Sequence, residues 1–443
     1  MAYKLVANLF GADPNAFQII YNNFANLFGA DKSSVITVSL TLWCITMCEE
    51  LDAKMRGDII SISWGDHIEW GEGKAKLDTP NQIAASVQRW KTRYSATKLF
   101  WRGASRFIQR YTQTFYRDEA SPPRKYYIRI AQITMDEFQA ICDAAHAEGL
   151  PVYLYHSIFD EGWPIVSGWD DRSPTWQSNF TIAHPEYLEC NRSGTEVNYG
   201  VLCYAYPEAR SYQLNTIRDL LGSYPFDGLF LCTRCMSKPV LHADQFGFNE
   251  PIVAAYEQRY GVNILEHDFD VEAWRRLRGE FLTQLLREIR AFTRERGLRL
   301  AVGLPQGNYI GPPVGNLHLD WRTWVAAEIV DELVINQVAT RCPSNWTTIW
   351  PGHSGYGYVQ NYDENIGLLP LEMDVRANYG PYCIMHGCQL YISRLHWSAD
   401  ERFHAQLLAL PGVTGLVLSS FRLDNQTVIQ RNSLDREAWG ISG

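Results

Sequence analysis

From Gly57 onward the chain carries eight short apolar runs, each followed by a stretch of helical pattern, and this alternation limits the fold more than any other feature. The runs are DIISISW (58–64), TKLFWRG (97–103), PVYLYH (151–156), FDGLFLC (226–232), LRLAVGLP (298–305), DELVINQ (331–337), one within YCIMHGCQLYIS (382–393), and GVTGLVLSSF (412–421). They are rich in β-branched and aromatic residues and too short for buried helices. Between them lie helix signals. Thr79, Pro80 and Gln82 form an N-cap, a first-turn proline and a capping box. Thr134 and Glu137 form a second box, and Gly149 stands where a C-terminal glycine belongs. SYQLNTIRDLLG (211–222) and LDWRTWVAAEI (319–329) read as helices. In 270–297, Trp274, Leu277, Phe281, Leu285, Ile289 and Phe292 recur at helical spacing.

Eight strands alternating with helices specify a parallel α/β architecture. A doubly wound sheet would place a glycine-rich phosphate loop after its first strand. WGDHIEW (64–70) is not one, and no GxGxxG or Walker loop appears elsewhere. The expected fold is therefore a (β/α)8 TIM barrel over 55–424, with an N-terminal appendage (1–54) and a C-terminal tail (425–443). The appendage repeats ANLFGAD at 7–13 and 25–31; two copies do not make a solenoid. The long, Trp-rich segment 157–205 reads as a functional loop.

Composition narrows the partners. With 46% apolar and 20% charged residues the chain is globular, and a net charge of −9 argues against nucleic acid. No stretch reaches the ~18 apolar residues of a membrane span. SSVITVSLTLWCITMC (33–48) resembles a signal core but starts too deep in the chain, so a cytoplasmic location is expected unless the true start lies elsewhere. The ten cysteines lack ligand spacing with histidines; Cys232 and Cys235 pair without a second CxxC. They read as reduced core residues, and neither metal nor cofactor is expected. Homo-oligomerisation is left open.

A barrel of this kind does its chemistry at the C-terminal ends of its strands. There the sequence places Trp64, Asp66 and His67 after the first strand, and Trp101 and Arg102 at the second. His156, Asp160, Glu161 and Trp163 follow the third, with His184 further on. Arg234, Asp244 and Gln245 follow the fourth, Asn308 the fifth, Asn336 the sixth, Arg394 the seventh and Arg422 the eighth. Amides, arginines and aromatics suit hydroxyl and carboxylate recognition. There is no HExxH or GxSxG, so metal or serine hydrolysis has little support. Carboxylates are the natural acid–base pair; glycoside hydrolysis uses two, roughly 5 Å apart for retention or about 6.5–9.5 Å for inversion. Each residue also has a plainer use: Asp66 as a loop cap, His156 as a rim histidine, Asp160 and Glu161 as turn residues. Asp227 and Asp331 precede their strands and read as structural.

Three motifs carry a resemblance. His184-Pro185-Glu186-Tyr187, Pro207-Glu208-Ala209-Arg210 opening a helix, and the Asp227-Gly228 strand resemble the glycoside hydrolase family 10-like barrel proteins. ADQFGFNEP (243–251), GPPVGNLHLDWRTWV (311–325) and HSGYGYVQNY (353–362) are similar to later segments of such barrels. The resemblance spans about 55–424 and implies a barrel glycosidase acting on carbohydrate. It departs at Cys232 and Thr233, where better-known relatives place an acid. On this reading Asp66 acts as base or nucleophile, and His156, Asp160 or Glu161 as acid. Asp244, Asn336 and Arg234 hold the substrate, and Trp64, Trp101 and Trp163 stack on its ring. Two alternatives follow. Inverting exosialidases of family 156 resemble an arrangement of Asp66 with His156 or His184 and Arg102 or Arg234. A barrel without its acid would bind carbohydrate and not cleave it.

Overall fold

Each apolar run forms a parallel strand: β1 (Asp58–Ile62), β2 (Ala96–Trp101), β3 (Val152–Ser157), β4 (Gly228–Cys232), β5 (Arg299–Gly303), β6 (Glu332–Ile335), β7 (Gln389–Leu395) and β8 (Val413–Ser419). In the computed structural model, which describes residues 57–67, 77–103, 135–163, 176–233, 235, 244–311, 314–337, 371–395 and 401–419, the strands pair in sequential order. Parallel pairing of β8 with β1 closes the barrel. The connections carry α1 (Pro80–Tyr94), α2 (Glu137–Ala147), α3 (Pro207–Ser223), α4 (Glu250–Tyr260), α5 (Val271–Glu295), α6 (Trp321–Ala326), α7 (Gly380–His386) and α8 (Glu401–Leu408). This is a (β/α)8 barrel. By compactness the chain divides into Met1–Arg56 and Gly57–Gly443, and every described residue belongs to the second unit.

Strands buried on both faces explain the continuous apolar runs. One parity points inward: Ile59, Phe100, Tyr155, Phe230, Val334 and Val417 belong to one interior cluster. Phe100 and Phe230 stack across it, with centroids 4.2 Å apart and planes 9° apart. The other parity, among it Ile60, Leu99, Leu229, Val302, Ile335 and Leu416, packs against the helices. At the N-terminal end the interior is polar. Lys98 Nζ donates to both oxygens of Glu332, at 2.7 and 2.6 Å, and Tyr153 Oη and Arg299 Nε each donate to the same carboxylate at 2.8 Å.

The N-terminal aspartates close strand ends. Asp227, just before β4, accepts from Val152 N at 2.8 Å, and Asp331, just before β6, from Leu300 N at 2.7 Å. Asp58 in β1 accepts from Leu416 N at 3.2 Å. Each pins the neighbouring strand, which bears out the structural reading of Asp227 and Asp331.

Three expectations are refined. Thr79 caps α1 as read, but the Gln82 amide oxygen accepts from Asp78 N. Helix α2 is capped by Asp136, which accepts from Gln139 N; Thr134 lies outside the described residues. The described parts of 157–205 are not a structureless loop. They hold the paired strands Gly162–Trp163 and Trp176–Gln177, a helix Asn179–Ala183, and a hairpin of Leu188–Cys190 with Val197–Leu202. With Phe248, Tyr256, Trp274 and Leu277, residues Cys203 and Ala205 build a small second core. Among the described residues no helix is long and apolar enough to cross a membrane.

Candidate active site

The ends of β1, β2 and β3 are tied together by buried polar side chains. After β1 the chain turns into a short helix, Trp64–His67. Asp66 sits in that turn and accepts from Ser63 N at 2.8 Å and Ser63 Oγ at 3.0 Å. His67 Nε2 lies 2.9 Å from the Arg102 carbonyl oxygen. A carbonyl can only accept, so Nε2 carries the proton. The other ring nitrogen, Nδ1, faces Glu137 of α2 at 3.9 Å. Arg102 follows β2 on the inward parity, and its guanidinium donates to Asp160 at 2.7 Å. Asp160 follows β3 and is 2% exposed. One run of contacts thus joins His67, Arg102 and Asp160, and Asp66 is the residue before His67 in the chain.

Two expected acids face elsewhere. His156 has outward parity on β3, and its Nε2 meets Gln213 Oε1 of α3 at 2.7 Å. Gln213 Nε2 donates to Glu161 at 2.9 Å, and Tyr212 Oη donates to the other Glu161 oxygen at 3.1 Å. A carboxylate can only accept, so the Gln213 amide is fixed and His156 must be the donor. Both side chains are spent on fastening β3 and its loop to α3. Trp101, also of outward parity, is fully buried against the helices and meets His67 edge-on at 4.9 Å. It has no free face for a sugar ring, which corrects its reading as a stacking platform.

Other expected residues sit on the rim. Asp244 accepts both arms of Arg275, at 2.9 and 2.5 Å. Arg275 also reaches Glu272, which bonds Tyr309 Oη. Arg275 and Tyr309 hold the Glu272 carboxyl below its ordinary range against the opposing push of burial. Gln245 bonds Glu196 at 3.1 Å, and exposed His184 bonds Glu186 at 3.1 Å. The Asn308 amide oxygen accepts from Trp321 Nε1 at 3.1 Å. Asn336, at a left-handed φ of 58°, donates to the Ser393 carbonyl at 3.0 Å and fastens β6 to β7. Arg394 has outward parity; burial pushes its guanidinium below the ordinary value, with Glu372 opposing. The side chains of Trp64 and Trp163, with Arg234 and Arg422, lie outside the described residues.

The interior between β3 and β6 holds residues that strand-end reading did not single out as ligands. Tyr155 Oη donates to Cys232 Sγ at 3.2 Å, and Gln337 Nε2 donates to the same sulfur at 2.9 Å. Ser157, Cys232 and Gly303 lie side by side in register. Strand parity was the signal for them: once Tyr153 and Tyr155 point inward, Ser157 must. Asp374, bonded by Gln306 at 2.9 Å and Asn378 at 2.7 Å, carries no sequence signal, because it follows a segment without strand or helix pattern.

A family model for glycosyl hydrolase-like 10 matches residues 107–348, more than half of the chain. A search of curated proteins gives no match. Among solved structures, a β-galactosidase from the psychrophilic Marinomonas ef1 is 11% identical, with a TM-score of 0.49 over 87% of this chain and 61% of that one. The chain therefore spans less than two thirds of that relative. The glycoside hydrolase domain of PgaB (BpsB) from Bordetella bronchiseptica is 12% identical, with a TM-score of 0.48 over 87% of this chain and 98% of the other. The catalytic domain of a β-amylase from Paenibacillus polymyxa is 8% identical, with a TM-score of 0.45 over 82% and 91%.

Proposed function

The chain belongs to the glycosyl hydrolase-like 10 family, and from that premise we propose that it is a glycosidase whose acid–base pair is Asp66 and Asp160. The observation that supports this reading is the run of contacts from His67, next in the chain to Asp66, through Arg102 to Asp160 at the C-terminal ends of β1–β3. Two buried carboxylates, Asp66 after β1 and Asp160 after β3, stand at the strand ends where this fold keeps its chemistry. His156 and Glu161 are engaged with Gln213, so Asp160 is the partner that remains for Asp66.

The roles follow from charge. Pairing with Arg102 favours the ionised form of Asp160, which suits a nucleophile or general base. Asp66, 2% exposed at the end of β1, is then the proton donor to the leaving oxygen. This reverses the order expected from sequence. His67 positions Arg102 through its carbonyl and so acts at one remove.

The test is hydrolysis of a panel of aryl glycosides, neutral and acidic, with the first-formed anomer read by proton NMR. Release from one member supports the reading, and the anomer separates inversion from retention. No release from any member, with glycan binding still present, would favour the non-catalytic barrel. Cys232 at the end of β4 is the residue that speaks for that second reading, since an acid stands there in better-known relatives.

A further inference from the structure

We propose that Ser157, Cys232 and Gln337 form the floor of a subsite for the hydroxyls of a neutral pyranose; the proposal rests on the glycosidase reading above. The three groups face the barrel interior on β3, β4 and just after β6. Ser157 and Gln337 are each 6% exposed and Cys232 is fully buried. Among the described residues Ser157 Oγ and Gln337 Oε1 have no hydrogen-bond partner. A buried polar group without a partner destabilises the fold unless something else satisfies it. Two such atoms at one end of a barrel, the end where this fold keeps its chemistry, point to a ligand that supplies the missing bonds.

The geometry restricts the ligand. Gln337 donates to the Cys232 sulfur at 2.9 Å, which turns its oxygen away from that sulfur. Gly303 makes room for this pose. A Cβ at 303 would stand 2.7 Å from Gln337 Oε1 and 2.8 Å from the Phe230 ring. Were the amide reversed, its nitrogen would be the free atom instead. A hydroxyl meets either case, because it both donates and accepts. The serine hydroxyl likewise does both. The floor itself carries no charge, and among the described residues Arg102, the inward-facing guanidinium of this end, is already paired with Asp160. The floor therefore suits neutral sugars over sialic or uronic acids.

Binding separates this proposal from the catalytic one. D-glucose, D-galactose, D-mannose, N-acetyl-D-glucosamine, D-glucuronic acid and N-acetylneuraminic acid are titrated against the full chain by saturation-transfer NMR. Gln337→Met and Ser157→Ala are compared with the unaltered protein at matched melting temperature. The expected result is a neutral sugar bound best, about tenfold weaker in Gln337→Met and a few-fold weaker in Ser157→Ala. In Gln337→Met the deoxy analogue lacking the contacted hydroxyl then binds no worse than its parent. If free sugars do not register, the same ratios are read in KM for whichever glycoside is hydrolysed. Equal affinity or KM in all three proteins overturns the floor, as does an acidic sugar bound tightest. Either outcome leaves the glycosidase reading standing wherever hydrolysis is seen. Neither hydrolysis nor binding would sink both.

Discussion

At the scale of single residues, Gln213 shows how a polar side chain decides what its neighbours can do. It donates to Glu161 and accepts from His156, so neither is available to a substrate. Gln213→Leu would leave a buried carboxylate and a buried imidazole short of a partner. A loss of about 3 kcal/mol in urea denaturation is expected. A loss below about 1 kcal/mol would mean that the link does not hold α3 to β3. The proposed acid–base pair makes a different prediction. Asp66→Asn and Asp160→Asn keep shape and remove an ionisable group, so turnover should fall by about a hundredfold or more. The roles are then separated by azide: it should restore turnover to Asp160→Ala, which lacks the nucleophile or base, and not to Asp66→Ala. Rescue of the second and not the first would exchange the two assignments. The sequence displayed all four carboxyl and imidazole candidates of this end. It could not say which faced inward, because that depends on strand parity and on Gln213, six residues after the Pro207 that starts its helix.

At the scale of elements, most of the barrel was legible. Strands buried on both faces leave apolar runs, and helices leave caps: Asp270, whose side chain accepts from Glu272 N and Ala273 N, opens the 25-residue α5 where a cap is expected. The excursion between β3 and α3 was not legible, since Cys203 and Ala205 at its end pack with residues of α4 and α5, far away in sequence. The same is true of the hairpin after β5, Tyr309–Gly311 with Gly315–His318, which packs on α5. Its last residue gives a pH prediction. Burial pushes the His318 imidazole below its ordinary value of 6.5, with Asp320 opposing and Arg276 assisting. As pH falls through 6.5 the unfolded chain takes up this proton first, so stability drops between 6.5 and the lower folded value. Melting temperatures of the protein and of His318→Gln, measured from pH 7.5 to 5, should diverge in slope within that window. Parallel curves would remove His318 as a source of acid sensitivity.

At the scale of the whole molecule, the two ends of the barrel put buried charge to different uses. The C-terminal end buries Asp66 and Asp160, the pair proposed to act on a substrate. The N-terminal end closes over Lys98, Glu332, Tyr153 and Arg299, all engaged with one another. Burial pushes the Lys98 amine down, and the Glu332 carboxylate pushes it back up. An ion pair of this kind opposes its own desolvation without exceeding it by much, so its removal as a unit and its removal by halves should differ sharply. Glu332→Leu strands a buried ammonium and should lower stability by about 3–5 kcal/mol. Lys98→Met combined with Glu332→Leu replaces the pair with apolar volume and should recover most of that loss. The double substitution leaves Arg299 without its carboxylate, but that side chain is half-exposed and can turn to water. Turnover per folded molecule should be unchanged in both, because neither residue reaches the mouth. A double-mutant cycle in denaturant, run alongside kcat, checks both halves of the argument. Single losses that simply add would show that the plug does not act as a pair, and a fall in kcat would show that the barrel transmits change from one end to the other.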